Sequence, residues 1–125
     1  MVNRDKHAAL TIADFSRTNW QRHLESFPGC NGWNLTDWVR NVAWGADEVG
    51  AVLESVRCGR RTLDDARAEF GRKIADTFAA LDLLATSIDL DLATVVADEF
   101  NELSRKVGSP LSFAAAPAAP GKDGA

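Results

Sequence analysis

The chain has little of what usually announces a chemistry. Its two cysteines, Cys30 and Cys58, stand apart, with no CxxC and no histidine pair nearby, so neither a zinc site nor a disulfide framework is indicated. His7 and His23 have no partner at metal-ligand spacing. There is no glycine-rich phosphate loop, no nucleophile elbow and no Ser/His/Asp arrangement. No segment approaches the roughly 20 apolar residues that cross a bilayer, and the charged stretch from Asn3 to His7 is followed by no apolar run of the secretory kind. Basic excess is missing too: the formal net charge is -4 and the isoelectric point is near 5.1. That balance argues against DNA, RNA or an anionic membrane as a non-specific partner, because those surfaces repel an acidic protein. A cytoplasmic protein with reduced thiols is the expectation.

What is present is helical periodicity. The 125 residues, 46% hydrophobic, suit one domain with one core. Thr11 followed by Asp14 reads as a capped start, and Ile12, Phe15, Trp20, Leu24 and Phe27 then recur at near-helical spacing, predicting a first helix over Ile12 to Ser26. Pro28, Gly29, Asn31 and Gly32 mark a loop, after which Asn34 or Thr36 can cap a second helix running to Arg57. Its apolar stripe reads as Trp38, Val42, Val49, Val52 and Val56, with Gly59 just beyond the end. Thr62 with Asp65 caps a third helix to about Ser87, carrying Phe70, Ile74, Phe78, Leu81 and Leu84. Asp89 or Asp91 starts a fourth through Val96, Phe100, Leu103 and Val107, stopped by Gly108 and Pro110. No alternating Val/Ile/Thr segment competes for strand, and no internal repeat stands out. The expected fold is an all-α bundle of four main helices over residues 11–113, with a flexible N-terminus at 1–10 and a disordered Ala/Pro/Gly-rich tail at 114–125.

Carboxylates three or four residues apart share a helix face and can chelate one cation. The second helix offers Glu48, with Asp47 and Glu54 turned differently, and the third offers Asp76, with Glu69 two turns earlier. Spacing alone does not identify an enzyme: carboxylates on neighbouring helices ordinarily form a solvated face or salt bridges. Trp20, Trp33, Trp38 and Trp44 read as core or interface residues, and Arg57, Arg60 and Arg61 as a solvated turn.

The run from Ile74 to Ala85, containing Leu81-Asp82-Leu83-Leu84-Ala85, is followed by Ile88-Asp89-Leu90 and by Phe100-Asn101-Glu102-Leu103-Ser104. Upstream stand Thr11-Ile12-Ala13-Asp14-Phe15 with Asn19 and Arg22, then Trp33 to Trp38. In this order and spacing the blocks resemble the MazG-like all-α nucleoside triphosphate pyrophosphohydrolases of phage and bacterial type, over about Thr11 to Phe113. The resemblance implies a homodimer or dimer of dimers, and magnesium held by an ExxE pair on the second helix and an ExxD pair on the third. It implies cleavage of a nucleoside triphosphate to monophosphate and pyrophosphate.

Carried over without gaps, the ExxE pair falls on Gly45 and Glu48 and the ExxD pair on Lys73 and Asp76. A three-residue shift would use Glu48 and Ala51 but spoils the fit at Arg57 and Gly59; either register leaves a single glutamate. Glu99 stands where the family has Lys, Asn101 is retained, and Lys106 replaces an Arg, losing the guanidinium fork. Glu48 and Asp76 are thus the remnant metal residues, and Asn19, Trp38, Lys73, Asn101 and Lys106 the nucleotide-binding candidates. An ammonium where the ion would sit repels a cation by roughly 1 to 4 kcal/mol. Three readings follow: a degenerate member with absent or weak hydrolysis, Lys73 pairing internally with Glu48 and Asp76; an active divergent enzyme in which Lys73 touches phosphate and Glu48, Asp76 and Glu69 hold one magnesium; and a metal-independent nucleotide, metabolite or assembly module.

Overall fold

The computed structural model describes residues 10–114. The flexible N-terminus and disordered tail expected from the sequence lie outside these residues, except at Leu10 and Ala114. The described residues contain four α-helices and no strand: α1 (Ile12–Ser26), α2 (Leu35–Arg57), α3 (Leu63–Ser87) and α4 (Leu92–Val107), with a single 3-10 turn at Pro28–Cys30 between the first two.

Local chemistry sets the boundaries. Thr11 caps α1 and Thr62 caps α3, each side-chain hydroxyl accepting the backbone N–H three residues on at 3.1 Å. Asn34 and Asp37 form a reciprocal capping box at the start of α2, with bonds of 3.0 and 3.1 Å. Asp91 occupies the cap position of α4, but its carboxylate accepts from the Thr94 hydroxyl at 2.9 Å instead of from a backbone N–H. Gly108 ends α4 in the left-handed region at φ 73°, where a side chain would be strained.

α2 and α3 form a long antiparallel hairpin; α1 and α4 meet each other and α3, and α1 reaches α2 through the rings of Trp20 and His23 against Trp38. The hairpin closes through small residues. A Cβ on Gly45 would lie 2.8 Å from Thr77 Oγ1 and 3.3 Å from Thr77 Cα, so glycine lets the two backbones approach.

The core corrects the expected stripes. Among the described residues, Trp38 and Val52 are the only large apolar side chains buried, joined by Ala66, Ala80, Ala85 and Ala97. On α3, Ile74 and Leu81 are exposed; on α4, Val96, Phe100, Leu103 and Val107 are exposed while Ala97 and Ser104 turn inward. On α1, Asn19 and His23 are buried and Leu24 and Phe27 exposed. Periodicity located the amphipathic helices and, on α2, the stripe that holds the buried Trp38 and Val52, but on α4 it marked the exposed face. Close backbone approach favours small side chains at the contacts, and this leaves the larger apolar ones outside.

Candidate functional site

A groove of about 310 Å³ opens between α1, α2 and α3, within the size range of small-molecule sites. From α1 it takes Asn19, Arg22 and His23, with Phe27 just past the helix end. α2 contributes Asn41, Trp44, Gly45 and Glu48, at the four- and three-residue steps that bring side chains to one helix face. α3 contributes Asp76, Ala79, Ala80 and Leu83 by the same spacing.

The α1 wall is fixed by a buried carboxylate. Asp82 has no exposed surface; it accepts from the Ser16 hydroxyl and, at 2.9 Å, from the Asn19 side-chain amide. The same Asn19 nitrogen donates to the Ala79 carbonyl at 3.1 Å. With both donors directed at α3, the Asn19 carbonyl oxygen is the group left over, and Arg22 donates to it at 3.3 Å. The Arg22 guanidinium has no carboxylate within 4.0 Å among the described residues, so it brings an uncompensated positive charge to the groove. Behind this wall His23 sits in an aromatic cluster, its ring centroid 5.0 Å from Trp38, 5.5 Å from Trp20 and 6.3 Å from Phe27. Burial pushes its imidazole below the ordinary value, favouring the neutral ring.

On the opposite wall, Lys73 Nζ donates to Glu48 Oε2 at 2.9 Å. That bond raises the lysine pKa above its ordinary value, and the fields of Glu48, Asp76 and Glu69 add to the effect. Asp76 is exposed at the groove and forms no ion pair among the described residues. Glu69 is engaged elsewhere: Arg61 donates to it at 2.6 Å while also holding the Ser55 hydroxyl at 3.0 Å, and this bond lowers the Glu69 pKa.

Magnesium, which the resemblance implies, does not fit this arrangement. One carboxylate is bonded to an ammonium, the position paired with it is Gly45, and among the described residues no group of three or more His, Cys, Asp or Glu side chains converges. The backbone contact at Thr77 also leaves no room for a side chain at Gly45 in this packing.

Of the sequence candidates, the structure brings Asn19, Glu48 and Asp76 to the groove and sets Lys73 behind Glu48. Trp38 lies buried between Trp20 and Trp33, with centroids 6.0 and 5.0 Å away. Asn101 is outside the groove, its amide donating to the Phe113 carbonyl and accepting the Phe113 N–H, both at 2.8 Å. Lys106 is exposed beside Glu102 at 3.8 Å. Sequence reasoning gave no site role to Asn41 or Asp82, and it read Trp44, which is exposed at the groove, as a core or interface residue. A signal for Asp82 existed, since a lone carboxylate inside the apolar run Leu81 to Ala85 has to be hydrogen-bonded if that run is buried.

Comparison of the chain with protein-family profiles, with curated proteins and with solved structures finds no match.

Proposed function

We propose that this chain is a MazG-like, nucleotide pyrophosphohydrolase-type bundle whose metal centre has degenerated, leaving a nucleotide-binding groove with absent or weak hydrolysis. The observation that carries this reading is the Lys73 to Glu48 bond of 2.9 Å, an internal ion pair at the place where the resemblance expects magnesium ligands. An ammonium can neutralise Glu48 and hold α2 to α3, but it cannot polarise a phosphoryl oxygen and orient an attacking water as a coordinated ion does.

The remaining groove chemistry suits a nucleotide. Arg22 offers a guanidinium for a phosphate, and the exposed rings of Trp44 and Phe27 offer faces to a base. Asn41 supplies both donors and an acceptor. One of the three donors of the Lys73 ammonium is engaged by Glu48, so the active alternative would use the remaining two for a triphosphate.

Thermal-shift measurements with a panel of nucleoside mono- and triphosphates should give stabilisation that needs no magnesium, since a ligand bound only to the folded state raises its melting temperature. Pyrophosphate release from the same triphosphates with magnesium or manganese should stay far below about 1 per second, the low end of ordinary enzyme turnover. Metal-dependent turnover abolished by Asp76→Ala would overturn the degenerate-centre reading. Absence of any nucleotide shift would instead favour an assembly role.

A further inference from the structure

We propose that the groove takes a guanosine monophosphate, its phosphate at Arg22 and its base edge on Asp76, so that this carboxylate reads a base instead of holding an ion. The inference rests on the nucleotide reading above and adds to it an orientation, a phosphate count and a base.

Helix register gives the groove two different ends. Gly45 lies against Thr77 and Glu48 bonds Lys73, so rising residue numbers on α2 meet falling ones on α3. Glu48 and Asp76 therefore share one end, and Asn41 and Leu83 the other, seven residues or about 10 Å along each helix. α1 is anchored toward the second end. Asn19 bonds the Ala79 carbonyl and Asp82, three and six residues beyond Asp76, and its own carbonyl oxygen holds Arg22. Trp44, beside Gly45, stands between the two ends.

The two ends differ in charge. Arg22 is the one permanent cation of the lining, since burial favours the neutral ring of His23 and Lys73 stands behind Glu48. Glu48 is engaged by that lysine, whereas Asp76 forms no hydrogen bond or ion pair among the described residues. Without a metal, a phosphate at the Asp76 end faces a carboxylate and is repelled. At Arg22 it meets a guanidinium that spends one nitrogen on Asn19 and keeps its other donors, with the Asn41 amide on the facing helix. One guanidinium suits one phosphate. A triphosphate would press further charged groups toward Asp76 with no cation between them.

With the phosphate so placed, the base reaches Asp76. An ionised carboxylate only accepts hydrogen bonds, and its two oxygens accept two side by side. Guanine alone among the common bases presents two adjacent N–H donors, at N1 and N2, on its Watson–Crick edge. Adenine and cytosine set an acceptor nitrogen beside their amino group, and uracil and thymine flank one N–H with two carbonyls, so each turns a lone pair toward the carboxylate. The Trp44 ring, 68% exposed, supplies the face on which a base stacks while its edge is read. The groove volume of about 310 Å³ lies at the small end of ligand sites, in keeping with a nucleoside and one phosphate.

Calorimetric titration of the full-length chain without divalent metal tests the proposal, with guanosine, inosine and adenosine monophosphates, guanosine, and guanosine triphosphate as probes. Inosine monophosphate keeps the N1–H and lacks the 2-amino group, so guanosine monophosphate should bind about tenfold tighter, the worth of one hydrogen bond to a charged acceptor. Adenosine monophosphate should bind more weakly still, and Asp76→Asn should erase this ranking. Removing the phosphate, from guanosine monophosphate to guanosine, should weaken binding to the unmodified protein and make no difference to Arg22→Gln. Both residues are exposed, so both variants should keep the helical circular dichroism of the unmodified protein. Equal binding of the three monophosphates, or a ranking that survives Asp76→Asn, overturns the proposal and leaves the nucleotide groove standing. So does a phosphate contribution that survives Arg22→Gln, or tighter binding of the triphosphate. If no probe binds, the nucleotide reading falls and this inference with it. The three monophosphates on the unmodified protein decide the base without any variant.

Discussion

The two sides of the α2/α3 hairpin solve opposite problems. On the groove side, polar groups are held close together by partners within the chain: Lys73 by Glu48, Asn19 by Asp82, Arg22 by Asn19. Away from the groove, Leu53, Ile74 and Leu81 are exposed. The difference shows where specificity and stability reside. The groove is fixed by hydrogen bonds that a single substitution can remove, whereas the back is an apolar area whose contribution depends on what covers it.

The largest effect should come from Asp82→Ala on the groove side. It removes a fully buried carboxylate from half-buried Ser16 and from buried Asn19, which keeps only its bond to the Ala79 carbonyl on that side, and should cost about 2 to 3 kcal/mol. Denaturant melts that change by less than about 1 kcal/mol would show that the α1 wall is not held by this network. Next comes the contact that divides the two sides. Gly45→Ala gains helix propensity but forces a Cβ against Thr77, so a net loss of about 1 to 2 kcal/mol is expected, partly recovered by adding Thr77→Ala. A stabilised Gly45→Ala protein would contradict the close approach.

Acidification should give a smaller effect confined to the groove side and its margin. His23 is depressed in the fold, so the unfolded chain takes up its proton first, and stability falls as pH drops below 6.5. Glu69 is also depressed, so the stability from its bond to Arg61 is present above 4.5 and lost as pH falls through the lower folded value. Melting temperature followed from pH 8 to 2 should therefore decline in two stages, and Glu69→Gln should flatten only the lower one. A profile unchanged by Glu69→Gln would remove the Arg61 to Glu69 bond from the account.

The element boundaries were legible in the sequence because they are local events. Thr11, Asn34 and Thr62 each bond a backbone N–H three residues on, and Gly108 takes the left-handed turn that side chains resist. The core was legible on α2, where Trp38 and Val52 lie on the expected stripe, and not on α4. Ala97 and Ser104 lie on one face of α4, and Val96, Phe100, Leu103 and Val107 on a neighbouring one; periodicity marks the larger stripe without saying which molecule it meets. At the site, the pairing of Lys73 with Glu48 and Asp76 was expected from the resemblance and from opposite charge; the structure forms the bond to Glu48, and Asp76 stays exposed without an ion pair among the described residues. Asn101 illustrates the limit from the other direction: its carboxamide suits a nucleotide, yet the backbone of Phe113, twelve residues on, supplies both of its bonds at 2.8 Å.

The central claim is that the Lys73 ammonium, bonded to Glu48, stands where the proposed MazG-like reading expects a metal. Manganese titration followed by electron paramagnetic resonance tests it most directly, on the unmodified protein and on Lys73→Glu. The unmodified protein should show no saturable manganese site at millimolar concentration. Lys73→Glu, which sets a third carboxylate beside Glu48 and Asp76, should gain one. Saturable binding to the unmodified protein, lost in Asp76→Ala, would contradict the claim and return the groove to metal-dependent chemistry.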